Sequence, residues 1–206
     1  MPPMQIYQLK ITLNDIEPPI WRRIQIPNTS TFWDLHSYIQ DAFGWTNSHM
    51  HKFTYTDAFT DNSIIKPIVI GIPFEPEFEE EEHVLPGWEY KIKYYIEGET
   101  NSIEYTYDLG DNWKHTIELE KILVPVKGFK YPFCVDGERA CPPEDCGGPY
   151  GYAGLLETLF DPSDPDHEGM TAWVDAIKGY TFDPEQFYAA QVRFISPSKR
   201  FKEIFG

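Results

Sequence analysis

Between Gln5 and Leu13 the apolar residues Ile6, Leu9, Ile11 and Leu13 fall mostly in one phase, and Trp21–Ile26 shows a second short strand-like run before Pro27. Alternate residues of a strand face opposite sides, so the two runs predict a hairpin around the turn-forming stretch Asn14–Pro19. The period then changes. Phe32, Leu35, Ile39, Ala42 and Phe43 recur at helical spacing, Thr31 and Asp34 stand where a capping box needs them, and Gly44 supplies the stop. Further strands are predicted at His51–Thr56, Pro67–Ile72 and around Tyr90–Ile96. The cleanest alternation comes later: Ile103, Tyr105, Tyr107 and Leu109 against Glu104, Thr106 and Asp108, then Trp113, His115, Ile117 and Leu119 against Lys114, Thr116 and Glu118. Gly110-Asp111-Asn112 between these runs is turn chemistry, which makes a second hairpin.

From Pro125 to Tyr152 the chain is rich in Pro, Gly and Cys and keeps no period, which predicts a loop. Helices are expected at Tyr152–Phe160, Pro165–Lys178 and Pro184–Ile195, with Asp164 and Asp183 as N-caps before proline and Gly179 as a stop. The pattern as a whole predicts an α+β fold: a mixed or antiparallel sheet with a helix on one face, β-grasp-like in the order of its N-terminal half, followed by a C-terminal helical cluster. No repeat or linker divides residues 1–206, so one domain is expected, carrying an acidic loop insertion near 75–87 and the Cys/Pro/Gly-rich loop near 125–152.

Composition narrows the class. Hydrophobic residues make up 41% of 206 and aromatics 16%, enough for a core and too apolar for a disordered chain. The 33 acidic residues outnumber 17 basic ones for a net charge of −16, which argues against non-specific nucleic-acid binding and against an anionic membrane surface. Much of that excess lies in residues 75–120, while Arg193, Lys199, Arg200 and Lys202 give the C-terminal end a small basic character. No apolar run is long enough to cross a bilayer and no secretory leader is visible; with three cysteines at least one thiol stays unpaired within the chain, and a reduced, cytoplasmic protein is expected.

Several residues carry candidate chemistry. Cys134, Cys141 and Cys146 are spaced so that a folded loop could bring three thiolates to one zinc ion, with a histidine as the fourth ligand. His49 and His51 share a phase with Phe53 and Tyr55, and His115 with Trp113 and Ile117, so all three point to the apolar side, as metal ligands or as core residues. Glu144-Asp145 lies between Pro142-Pro143 and Gly147-Gly148, where rigid and permissive backbone can aim carboxylates as a base or hard-metal ligand, or let Asp145 accept backbone N–H groups in a tight turn. Asp108, Asp111 and His115 cluster at one hairpin end, yet Asp108 and His115 fall on opposite phases. No nucleophile-elbow, P-loop, dinucleotide or zinc-protease motif occurs.

The segments IWRRIQIPNTSTFWDLHSYIQDAFGWTNSHMHKF, YTYDLGDNWKHTIELE and CVDGERACPPEDCGGPYGYAGLLETL together resemble the plasmid pRiA4b open-reading-frame-three-like family, across most of the chain from Ile6 to about Phe194. The resemblance implies a gene carried by plasmids or other mobile elements, some of whose relatives bear a transposon-resolvase-like label, and it supplies no catalytic residue. It marks His49, Phe53, Tyr107, Asp108, Gly110, Asp111, Trp113, His115, Cys134, Gly137, Pro142, Pro143, Glu144, Asp145, Gly147, Gly148, Gly151 and Tyr152 as motif positions. Leu109 stands where the family usually has Phe, and Cys146 has no regular counterpart, which favours a structural loop over a three-thiolate site. Resolvase chemistry needs a serine nucleophile beside a basic DNA-facing surface, which this acidic chain lacks. Two functions follow. One is a non-enzymatic binding or regulatory module taking a protein or small-molecule partner in a cleft formed by Tyr107, Trp113 and the PPEDCGG loop. The other is a metal-dependent enzyme, a hydrolase, built on His49, His51, His115, Glu144 and Asp145.

Overall fold

Ile6–Leu13 (β1) and Ile20–Pro27 (β2) form the first hairpin, in register from Ile6 opposite Pro27 to Leu13 opposite Ile20. The computed structural model describes residues 3–56, 67–73, 83–97 and 102–206. The remaining described strands are His51–Tyr55 (β3), Ile68–Gly71 (β4), Val84–Pro86 (β5), Ser102–Tyr107 (β6), Trp113–Leu123 (β7) and Phe133–Glu138 (β8). They make one sheet in the order β5-β4-β3-β6-β7-β1-β2-β8, antiparallel except for the parallel pair β4 and β5. The α+β class and mixed sheet are as the sequence predicts. The β6–β7 hairpin is inserted between the hairpin β1–β2 and the pair β3–β4, so the β-grasp likeness stops at element order.

The helix Phe32–Phe43 (α1) begins and ends at its predicted caps. Thr31 Oγ1 accepts from Asp34 N–H at 3.1 Å, Asp34 Oδ2 accepts from Thr31 N–H at 2.8 Å, and Gly44 adopts φ 87°. Reciprocal capping of this kind stabilises a helix start by about 1 kcal/mol. The apolar stripe understates its burial: His36, Ser37 and Gln40 are also inside. His36 and Gln40 are inside because they meet the sheet, both bonding the Tyr105 hydroxyl and His36 stacking on His51. A C-terminal helix, Pro197–Phe205 (α5), packs on α1 through Phe201 and Phe205 on Trp33, Arg200 on the Ser37 carbonyl and Arg200 on Asp41 at 2.6 Å.

Three expectations need correction. Tyr90–Ile96 is not a strand: only Lys91 bridges to Thr31, and Lys93–Ile96 is a short helical turn (α2), because Ile92 and Ile96, four apart, are the fully buried positions. The loop 125–152 contains β8, whose hydrophobic pattern is hidden because Phe133 and Val135 are exposed while Cys134 is buried. Pro184–Ile195 is a strap with one 3-10 turn at Ala189–Gln191 rather than a helix. Phe187 lies on the Arg22 guanidinium at 3.6 Å and Phe194 on Tyr38 at 5.9 Å, anchors on separate parts of the fold that hold the segment across the surface. The two remaining helices are Gly148–Phe160 (α3) and His167–Lys178 (α4), ending at Gly179; α3 packs on α4, whereas α5 crosses to α1. Asp164 and Asp183 do not cap long helices: each accepts the N–H two residues on, from Asp166 and Glu185.

Of the expected acidic insertion near 75–87, residues 75–82 lie outside the described residues; Val84–Pro86 is β5, and Gly87 N–H donates to Gly71 O at 2.8 Å. Among the described residues no helix is long and apolar enough to cross a membrane.

Candidate functional site

The placement of β3 beside β6 builds the site. His51 pairs with Tyr107, so the residues just before β3 meet those just after β6. Asp108 N–H donates to Met50 O at 2.9 Å, which fixes Asp108 against the approach to β3 and brings His49 to it. Asp108 takes φ 54°, and its Oδ1 accepts from Gly110 N–H at 2.9 Å and Asp111 N–H at 3.3 Å. One carboxylate oxygen thus shapes the turn, while Oδ2 faces His49 Nε2 at 3.5 Å.

The loop between β8 and α3 brings the other acids. Asp111 Oδ2 accepts from Gly147 N–H at 3.1 Å, tying the hairpin turn to the loop. Gly148, at φ 69°, lies so close that a Cβ would sit 2.4 Å from Asp111 O, which explains a glycine there. Glu144, mostly buried, accepts at Oε1 from Thr46 N–H at 2.6 Å, Thr46 Oγ1 at 2.9 Å and Tyr107 OH at 3.1 Å. Its Oε2 lies 3.8 Å from His49 Nε2, and Asp145 Oδ1 lies 3.0 Å from the same nitrogen. Burial, and then the charge of Glu144, push the Tyr107 phenol well above its ordinary range, so it stays a hydrogen-bond donor.

His49, Asp108 and Asp145 offer ligand atoms within 4.8 Å of one another, and no other His, Cys, Asp and Glu residues form such a group among the described residues. Asp145, with an exposed side chain, also enters a neighbouring trough of about 420 Å³ between α3 and α4, lined by Cys146, Gly154, Leu155, Met170 and Trp173. A cleft of about 520 Å³ beside Arg22, Cys141 and Phe187 is larger. Its buried charges are already engaged: Asp41 pairs with Arg200 at 2.6 Å, and Arg22 donates to the carbonyls of Trp21, Ala42, Glu138 and Arg139 and has Phe187 over its face. Burial lowers the Arg22 guanidinium to about 10, still cationic at neutral pH, and the carbonyl of Ala42 offers it the negative end of α1.

The other sequence candidates are placed elsewhere. His49 precedes β3 rather than sharing its buried face. His51 is buried, stacked on His36 at 3.5 Å between ring centroids. His115 is fully buried, with Nδ1 at 3.0 Å from Trp113 O and 3.3 Å from Tyr105 O. Burial lowers these imidazoles, His51 to about 3 and His115 to about 4, so both are neutral core residues. Trp113 and Tyr107 are also fully buried: Trp113 is core beneath the expected cleft, and only the Tyr107 hydroxyl reaches the acids. Cys134, Cys141 and Cys146 are free thiols and join no three-ligand group. Burial pushes Cys134 up to about 11 and the other two up to about 12, which leaves them weak nucleophiles. Gly147 and Gly148 serve the loop backbone, and Asp111 ties it to the hairpin. Sequence pattern does not single out the α3–α4 trough, because Leu155, Met170 and Trp173 come together only when α3 packs on α4.

The family model for "Plasmid pRiA4b ORF-3-like protein" matches residues 5–191. An uncharacterized protein of Sinorhizobium fredii, y4hQ, is 32% identical over 169 residues, covering 82% of this chain and 80% of its own. A crystal structure of a protein of unknown function, MM3350 from Methanosarcina mazei, is 36% identical with a TM-score of 0.78, covering 93% of this chain and 99% of its own. None of these descriptions indicates an enzymatic function. With the matched region spanning every strand and both halves of the acidic crevice, the chain belongs to the plasmid pRiA4b ORF-3-like family.

Proposed function

We propose that the protein is a non-enzymatic binding or regulatory module, of a kind carried with plasmids or mobile elements, and that it takes its partner where His49, Asp108, Glu144 and Asp145 meet the α3–α4 trough. The observation that carries this reading is the position of Asp145, which touches His49 at 3.0 Å and lines the trough as well. A small molecule or a protein side chain with an apolar body and a polar end fits the two together: the body against Leu155, Met170 and Trp173, the polar end at the acids. The buried, proton-retaining thiols support binding over covalent catalysis.

A thermal-shift screen of small molecules and short peptides tests this. Ligands are expected that raise the melting temperature of the wild type and lose that effect in both Met170→Glu and Asp145→Asn. Ligands whose stabilisation survives both substitutions would overturn the assignment. Turnover of such a ligand, abolished by the same substitutions, would overturn the non-enzymatic part.

A further inference from the structure

The acidic end of the crevice has an imbalance that its own hydrogen bonds do not resolve. Asp108, Glu144 and Asp145 converge, and among the described residues His49 is the only basic side chain within 4 Å of them. Lys178 donates to Pro142 O at 2.9 Å and makes no ion pair with these acids. His49 Nε2 is shielded from solvent, stands 3.0, 3.5 and 3.8 Å from three different carboxylates, and is aligned as a hydrogen-bond donor to none of them. A buried ring nitrogen without a partner costs roughly 1–3 kcal/mol, and three close carboxylates repel one another.

We propose that His49, Asp108 and Asp145, with Glu144 in reserve, form a site for a single divalent first-row cation. Ligand atoms about 2.1 Å from a metal stand about 3.0 Å apart at right angles and about 3.4 Å apart in a tetrahedron. The observed separations from His49 Nε2, 3.0 to Asp145 and 3.5 Å to Asp108, are close to those spacings, and the three ligand atoms all lie within 4.8 Å of one another. The cation would take the imidazole lone pair and cancel the carboxylate repulsion together. One nitrogen with carboxylate oxygens suits Zn²⁺ or Mn²⁺; a cage for Ca²⁺ or Mg²⁺ is all oxygen. The ligand oxygens are also prepared by the fold. Asp108 gives Oδ1 to its turn and keeps Oδ2 free, and Glu144 gives Oε1 to Thr46 and Tyr107 while Oε2 faces the imidazole. Asp145 leaves the cation open towards the trough, where a partner's carboxylate or carbonyl oxygen would complete the coordination.

This inference rests on the crevice being the binding site, and its test reads the metal rather than the partner. Purified untagged full-length protein is stripped with chelator, dialysed and titrated calorimetrically with Zn²⁺ and Mn²⁺ alone. Binding of about one equivalent is expected, weakened about tenfold or more in Asp145→Asn and in His49→Ala. His83→Ala, an exposed histidine outside the cluster, should bind as the wild type does. Asp145→Asn is the decisive variant if His49→Ala does not fold, since the Asp145 side chain is exposed. Absence of wild-type binding, or equal binding by wild type and Asp145→Asn, would overturn the cation site. Metal-free ligand capture that depends on Met170 would leave the binding module standing in that event; stoichiometric metal with no Met170-dependent ligand would do the reverse.

Discussion

The Tyr107 hydroxyl donates to Glu144 Oε1 at 3.1 Å, joining the end of β6 to a loop 37 residues further along the chain. The Tyr107 hydroxyl oxygen in turn accepts from Ser48 N–H at 3.0 Å, so one phenol fixes both the acid and the backbone beside His49. Tyr107→Phe removes both bonds inside a buried region and should cost about 1–3 kcal/mol in chemical denaturation. Glu144→Gln should cost less in the Tyr107→Phe background than alone, a coupling of about 0.5 kcal/mol or more. Strict additivity would show that the bond does not hold the loop.

Stability should decline as pH falls below about 6.5. Unfolded histidine titrates near that value, whereas burial holds His51 at about 3 and His115 at about 4, and His36 is held well below its ordinary range. The unfolded state therefore binds more protons between these limits. The stabilisation is complete above pH 6.5 and is lost as pH drops towards the folded values, by up to about 1.4 kcal/mol per pH unit for each histidine. Burial raises the Asp41 carboxyl, an effect of opposite sign at lower pH, so the clean window is pH 5 to 6.5. Urea unfolding across that window should show a shallower slope for His115→Gln than for the wild type; identical slopes would refute the assignment.

Two glycines of one helix should respond oppositely to alanine. A Cβ at Gly151 would lie 1.9 Å from Cys146 O, so Gly151→Ala must displace the loop carrying Asp145 and should cost about 2 kcal/mol or more. Gly154 meets nothing within 4 Å, and Gly154→Ala should stabilise α3 by about 0.5–1 kcal/mol. Melting curves of the two variants that shift the same way would contradict the packing described.

The pair Arg200–Asp41, at 2.6 Å with both side chains at least nine-tenths buried, fastens α5 to α1. Arg200→Ala leaves the Asp41 charge unpaired and should cost roughly 3–5 kcal/mol, while Arg200→Met with Asp41→Asn should recover most of it. Equal losses in the single and double variants would mean that α5 docks through Phe201 and Phe205 alone.

The alternation of Ile103 to Leu119 and the capping box at Thr31 made the central hairpin and α1 legible, because one element alone explains each pattern. What escaped was tertiary. Ile92 and Ile96 are buried four apart in a segment that also alternates, Cys134 hides β8 between exposed Phe133 and Val135, and the strap at Phe187 follows its anchors rather than a propensity. Asp108 and Asp145 are marked in sequence, but Asp108 meets His49 only because β3 pairs with the distant β6, and Asp145 only through the loop between β8 and α3. The histidines show the same limit: strand phase placed His51 and His115 correctly inside, and phase cannot follow His49 beyond the strand.

The insertion of β6–β7 into the middle of the sheet also sets the order in which the chain becomes foldable during synthesis. β1 has its second neighbour in β7, with Leu13 opposite His115, so the first hairpin leaves the ribosome about 100 residues before the strand that completes it. Until then Ile6, Leu9 and Ile11 have an open edge. The intervening stretch is the most acidic part of the chain, and its self-repulsion disfavours association between nascent copies while that edge waits. The crevice closes later still, once Glu144 and Asp145 have emerged, so a partner that recognises it distinguishes finished molecules from partial ones.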